Sequence, residues 1–298
     1  MSPPYGKAGA VSSLRETDAA GEAKLRIAVV APSSRFSSEA AERVQALAAA
    51  EFPDVEILFH PQCFRQHHHF AGTDAARRDA LIEVANDRDV DAIWIARGGY
   101  GACRVAEDAI AGMNAAARHK KWLGYSDAGY LLAGLYRAGF PHVAHGPVCQ
   151  DVLRTGGEAA VRRALGWLLR GDKEALDPGL SRERPQAAFN LTVLGLLLGT
   201  PLEPDLSGHE LLIEDVSEHM YRIDRALFHL TSNARIQRVA GLRLGRISDV
   251  QPNDPDFGQE AEALARHWCG RAGIPFLGTA DIGHDGENRV VPFGRHPA

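Results

Sequence analysis

Three segments of this sequence carry residue types that can perform hydrolysis. Gly124-Tyr125-Ser126-Asp127 places a hydroxyl just past a short apolar run and just before a helix-like stretch, Ala128 to Arg137. A serine at such a turn sits at the C-terminal edge of an α/β sheet and needs only a base and an oxyanion site to become a nucleophile. The same serine can equally be a helix cap. The G-x-S-x-G elbow is not matched, because Ala128 stands where its second glycine would be. Glu214-Asp215 closes the apolar run Leu211-Leu212-Ile213. Glu214 there can orient a histidine and stabilise its imidazolium, or it can form an ordinary salt bridge with Arg222 or Arg225. Asp215 is expected to cap the turn that follows. Arg97-Gly98-Gly99-Tyr100-Gly101 directly follows an apolar run. Its glycines can aim backbone N–H groups at a developing oxyanion or simply make a tight turn. No G-K-[ST] follows, and G-x-G-x-x-G is absent, which argues against a phosphate loop.

A base must come from the thirteen histidines. His67-His68-His69 resembles a metal tract, yet three adjacent residues cannot face one ion from a regular element, so a polar loop fits better. His145 ends an apolar stretch, and His284 lies in the glycine-flanked loop Asp281-Ile282-Gly283-His284-Asp285-Gly286. From the residues alone these two are rivals for the role of proton shuttle. The four cysteines, 63, 103, 149 and 269, include no C-x-x-C pair and read as buried, reduced thiols of a cytoplasmic protein.

These groups need a scaffold, and the sequence supplies one. The chain has 298 residues, 45% hydrophobic and 24% charged, and a formal net charge of −5. That balance fits a soluble globular protein and gives no electrostatic case for nucleic acid or an anionic membrane. No apolar run approaches the roughly 20 residues of a membrane span. Residues 1–24 lack a hydrophobic h-region and read as a flexible tail. Leu25–Ala31, Val55–Phe59 and Val90–Ala96 read as buried strands, alternating with helices at Ser38–Ala50 and Asp74–Asn86. Alternation of this kind predicts a parallel sheet with helices on both faces, over residues 25–155, carrying Ser126. A helix (Glu158–Leu169) and a polar linker then occupy residues 156–188. Short strands and a helix near Tyr221–Asn233 predict a smaller, β-rich α+β domain over 189–298, holding Glu214 and His284.

Taken together, the segments resemble one family, the LD-carboxypeptidases, which also includes the microcin C immunity hydrolases. The resemblance runs from Ile27 to about Gly294. It covers Ala31-Pro32-Ser33-Ser34, Phe70-Ala71-Gly72-Thr73-Asp74, the Arg97–Gly101 loop, Gly124–Asp127, His145-Gly146-Pro147, Asn190-Leu191, Gly199-Thr200-Pro201, Ile213–Val216, Tyr221–Arg225, and Gly283-His284 with Glu287-Asn288. Each is weak singly; the ordered set is specific. The resemblance implies Ser126 as nucleophile, His284 as base and Glu214 as its carboxylate. It implies an oxyanion site from the backbone N–H groups of Asp127 and Gly99, and substrate contacts from Arg97, Tyr100 and Asn190. It further implies a serine carboxypeptidase that cleaves the L,D-amide to a terminal D-alanine of cytoplasmic muropeptides, as a homodimer without metal or cofactor. Such a substrate ends in a carboxylate, for which Arg97 and Arg222 are candidate cations. The alternatives are an immunity-type hydrolase of peptidyl-nucleotides and a non-catalytic muropeptide-binding protein. The sequence departs from the family at Ala188-Phe189, where two glycines are usual, and at Asp285, where a small or hydroxylated residue is common.

Overall fold

The structure is a computed structural model that describes residues 24–295. Except for Lys24, the expected tail of residues 1–24 lies outside the described residues. The first sheet begins as the apolar runs require: β1 (Leu25–Val30), β2 (Val55–Phe59), β3 (Ala92–Ile95), β4 (Lys121–Gly124) and β5 (Val143–His145) are all parallel. Their linking helices are α1 (Ser38–Glu51), α2 (Asp74–Asn86), α3 (Ala106–Ala111) and α4 (Gly129–Arg137), followed by α5 (Gly157–Arg170). Ser37 and Thr73 cap α1 and α2 by accepting from the main chain three residues on.

Alternation along a strand sends neighbouring residues to opposite faces. Ile27 and Val29 pack with Val44 and Leu47 of α1 and with Leu165 and Leu168 of α5. Ala28 and Val30 pack on the other side, with Leu81 and Val84 of α2 and Leu131 of α4. Both faces of the sheet are therefore covered, as its five parallel strands demand.

After α5 the connecting stretch is tied down by a buried Asp177, which binds Arg243 and the main chain of Asp281, each at 2.6 Å. A second sheet follows: β6 (Gln186–Asn190), β7 (Glu210–Val216), β8 (Gly241–Ser248) and β9 (Phe276–Thr279), parallel throughout. Between its strands lie α6 (Leu191–Leu197), α7 (Met220–Ser232) and α8 (Ala261–Ala272). Helix α8 was not foreseen in the sequence. Its start has no side-chain cap, and only Leu264, Ala265 and Cys269 are buried, so neither a capping signal nor a clear apolar stripe marks it.

The chain then returns to the first sheet, where β10 (Val291–Pro292) pairs antiparallel with β5. The order of the first sheet is β10-β5-β4-β3-β1-β2. Just past β10, Gly294 exchanges main-chain hydrogen bonds with Gln186 at 3.0 and 2.8 Å, so the two sheets meet there. One apolar core runs from α4 through α6 to α7 and α8. The protein is thus an α/β fold built on a six-stranded, mostly parallel sheet and a four-stranded parallel one.

Candidate active site

The C-terminal ends of β1, β3, β4 and β5 converge, and the loops there carry most of the expected groups. Ser126 follows β4 by two residues with φ +60°, a left-handed conformation that costs a non-glycine residue on the order of 1 kcal/mol. The turn closes into a short 3₁₀ segment (Ser126–Ala128) that feeds α4. Gly98 sits directly against it: a Cβ there would stand 2.9 Å from the Ser126 Oγ. Ser126 is thus the presented side chain of a strained turn and not a cap, since no side-chain bond caps α4.

Asp127 works inward. Its carboxylate is buried and accepts from Ser33 Oγ, in the loop after β1, and from Ala102 N at 2.8 Å, after the glycine loop. One side chain therefore fixes the two loops that flank Ser126. Burial raises its pKa, and those bonds oppose the rise.

His284, in the loop between β9 and β10, donates from Nδ1 to Glu214 Oε2 at 2.6 Å. Glu214 is fully buried within β7. Gly245 of β8 makes room for this pair, since a Cβ there would meet the Glu214 Cβ at 3.0 Å and the Ile282 carbonyl at 2.7 Å. Burial works to lower the His284 pKa, but the Glu214 charge and hydrogen bond outweigh it and hold the imidazole above its ordinary value. Burial raises the Glu214 pKa while His284 pulls it back. Nδ1 is engaged, so Nε2 is the nitrogen available to accept a proton.

Ser126 and His284 line one cavity of about 270 Å³, together with Arg97, Gly98, Gly99, Tyr125, Val148, Gln150, Asp151, Arg154 and Val216. The rival histidine is elsewhere. His145 is buried, its ring standing 5.4 Å from that of Tyr125, and burial followed by the nearby His284 pushes its pKa down to about 3. It stays neutral and outside the lining.

Other expectations separate in the same way. Arg97 lines the cavity, half-buried, its Nη1 donating to the Arg35 carbonyl at 3.2 Å. Arg222 does not; it lies on α7 and pairs with Glu218 at 3.5 Å. The second cation of the cavity is Arg154, which the sequence reading missed. It comes from the turn after β5, where functional loops of a parallel sheet gather, and that position was the available signal. Burial and the charge of Arg154 both lower the pKa of Arg97, so two guanidinium groups share this space.

Tyr100 is half exposed and packs beside His69 and Phe70, outside the lining. The His67–His69 tract lies on that loop, and among the described residues no group of three or more His, Cys, Asp or Glu could hold a metal. Asn190 is also outside the lining. Its Oδ1 caps α6 through Val193 N at 3.0 Å, and its Nδ2 donates to Asp215 at 2.8 Å. Asp215 Oδ1 accepts locally from the main-chain N of Val216 at 2.8 Å, but its carboxylate also reaches further. It faces back to α6 and accepts from Thr192 N at 3.0 Å and Thr192 Oγ1 at 2.8 Å. The two departures are structural. Phe189 packs on Phe293 with ring centroids 5.1 Å apart, and Asp285 binds Arg246 of β8 at 2.9 Å, anchoring the His284 loop.

A hydroxyl on a strained turn and a carboxylate-bound histidine in one cavity form an arrangement suited to serine-dependent hydrolysis. Comparison with known proteins agrees. Residues 27–146 match the LD-carboxypeptidase N-terminal domain, and residues 188–297 the LD-carboxypeptidase C-terminal domain. A protein of Synechocystis named as a carboxypeptidase is 32% identical, over 90% of this chain and 89% of its own. The murein tetrapeptide carboxypeptidase of Pseudomonas aeruginosa is 27% identical, over 91% of each. Among solved structures, the muramoyltetrapeptide carboxypeptidase of Oxalobacter formigenes superposes with a TM-score of 0.75 at 24% identity, covering 90% of this chain and 92% of that one. The microcin C7 self-immunity protein MccF, in complex with aspartyl sulfamoyl adenosine, superposes with a TM-score of 0.73 at 17% identity, covering 95% and 94%. The chain belongs to the LD-carboxypeptidase family and is a serine-type carboxypeptidase.

Proposed function

We propose that this protein hydrolyses the L,D-amide bond to the terminal D-alanine of a murein tetrapeptide, with Ser126, His284 and Glu214 as its triad. The observation that carries the reading is the pairing, in one cavity, of a strained serine and a glutamate-bound histidine with two guanidinium groups. Ser126 Oγ attacks the carbonyl as His284 takes its proton, forming an acyl-enzyme. His284 then returns the proton to the leaving amine of D-alanine and later activates the water that releases the acyl group. Glu214 fixes the imidazole and stabilises its charge. The N–H groups of Asp127 and Gly99 stabilise the oxyanion, each contributing on the order of 3 kcal/mol. Arg97 and Arg154 receive the terminal carboxylate, which limits the enzyme to chain ends.

The relatives named for murein peptides support this substrate class. The reading includes a role in murein recycling in the cytoplasm, as a homodimer; four unpaired cysteines suit a reducing compartment. A peptidyl-nucleotide substrate would want an aromatic platform for the base. The four tryptophans offer none, since no tryptophan lines the cavity. The test incubates the protein and its Ser126→Ala variant with a tetrapeptide muropeptide and with a peptidyl-adenylate. Release of D-alanine by the wild type alone is expected. Cleavage of the adenylate alone would move the assignment to the immunity-type reaction.

A further inference from the structure

One buried carboxylate in the cavity wall has no part in the reaction just described. Asp151 lies in the 3₁₀ turn after β5 (Cys149–Leu153) and is 2% exposed. Its Oδ1 accepts from the Tyr125 hydroxyl at 2.9 Å and from Arg154 Nε at 3.0 Å, and its Oδ2 from Val148 N at 3.0 Å. Each of the first two partners reaches one half of the catalytic machinery. Tyr125 immediately precedes Ser126, and its ring stands 4.7 Å from the His284 ring. Arg154 Nη1 donates to the His284 carbonyl at 2.8 Å. Burial, followed by the Asp151 charge, holds the Tyr125 phenol protonated, so it remains a donor.

Resting on the function proposed above, we infer that Asp151 is a positioning residue. It couples the nucleophile turn, through Tyr125, to the loop of the base, through Arg154, and so sets where the His284 ring sits relative to Ser126. No substrate atom need touch it.

The electrostatic surroundings make the idea measurable. Glu214 faces His284 from β7, Asp151 and Arg154 from the turn, and neutral His145 from β5, while Asp285 on its own loop is paired with Arg246 of β8. Asp151 favours the imidazolium and Arg154 opposes it. Removing either charge should move the proton affinity of the base, in opposite directions. A residue that merely props up the turn would change the amount of folded enzyme and leave that affinity alone.

The experiment measures the rate at which a small fluorophosphonate labels Ser126 across pH, alongside kcat and KM on an L,D-tetrapeptide, with thermal melts as the folding control. Asp151→Asn should lower the labelling rate and kcat by roughly 10- to 100-fold, as expected for a displacement near 1 Å, with KM little changed. Its acid limb should shift down by about half a pH unit or more. Arg154→Gln should shift the limb upward. Tyr125→Phe should reduce kcat in a fully folded protein. If Asp151→Asn fails to fold, Tyr125→Phe and Arg154→Gln carry the test. An unmoved limb in the charge variants, or wild-type kcat in Tyr125→Phe, overturns the inference. A wild type that labels but does not release D-alanine overturns the substrate reading alone, because labelling needs no peptide. A wild type that does neither overturns both.

Discussion

Adding one methyl group at Gly98 should cut activity by about 100-fold and leave stability nearly unchanged. A Cβ built there lies 2.9 Å from both the Cβ and the Oγ of Ser126, and 3.6 Å from the main-chain N of Asp127. Non-bonded carbons settle at roughly 3.5–4.0 Å, so the serine turn or the glycine loop must give way by about 0.6–1 Å. A misplacement of that size costs on the order of 100-fold in rate, or about 2.7 kcal/mol of barrier. The backbone raises no objection, because Gly98 is not among the residues with positive φ. Alanine at a compatible glycine position gains about 0.4–1 kcal/mol from a less free unfolded chain, which offsets part of the steric repair. The adjacent Gly99 gives the contrast. Its φ is +108°, and an added Cβ would overlap the Ser34 hydroxyl. Gly99→Ala should therefore destabilise by roughly 1–3 kcal/mol as well as disturbing the proposed oxyanion site. The assay is kcat for D-alanine release beside thermal melts of both variants. Gly98→Ala with wild-type kcat would refute the argument that chemistry occurs at the Ser126 hydroxyl facing this loop.

Three further outcomes are expected. His284→Ala should reduce kcat by roughly 10³-fold or more, whereas His145→Ala should act mainly on the melting temperature; equal rate losses would reject the assignment of the base. The acid limb of kcat/KM should lie above the ordinary imidazole value of about 6.5, because the base must be neutral and Glu214 favours its charged form, so activity falls as pH drops through a raised pKa. A limb at or below 6.5 in the wild type counts against the Glu214 pairing. Arg97→Gln should raise KM for the free-acid peptide by roughly 10- to 100-fold with a smaller effect on kcat, measured by initial rates, since a charged hydrogen bond contributes about 1.5–3 kcal/mol.

How much of this was legible in the sequence follows from the range of the forces involved. Strands β1 and β2 and helix α2 were readable because local patterning and caps define them, and α2 begins where Thr73 signals. Ser126 was readable as a turn residue, but its two rivals for a base were separable only through the family resemblance, not from the residues around them. His145 and His284 each lie close to a glycine and an apolar stretch, and both are buried; only the Glu214 carboxylate and the cavity that the fold brings to His284 tell them apart. Glu214-Asp215 shows the same limit on a smaller scale. Consecutive strand residues point to opposite sides, so one carboxylate meets His284 and the other meets Thr192 and Asn190. The pair could be seen in the sequence; which member did which task depended on the neighbours of β7. Arg154 was missed and Arg222 preferred beside Arg97 for a related reason. A cation's value to a site depends on which loops the topology brings together; the place of Arg154 in the turn after β5 hinted at a site, but its neighbours in sequence do not say that it will face β3's glycine loop.

The site's dependence on long-range assembly also explains where its rigidity comes from. Ser126 is held by the first sheet, through Asp127 and its bonds to Ser33 and Ala102. His284 hangs from the second, through Glu214, the Asp285–Arg246 pair and the close approach that Gly245 permits. Neither sheet alone fixes the distance between hydroxyl and imidazole. Links that cross between them include the β10 return with its Gln186–Gly294 bonds, the continuous core of α4, α6 and α7, and the Tyr125–Asp151–Arg154 chain, which ends on the His284 carbonyl. The first two are remote from the reacting atoms and set the angle between the sheets. The third lies within the cavity wall and acts at the final ångström. A change in the remote links should therefore be felt first in stability, and a change in the near one first in rate.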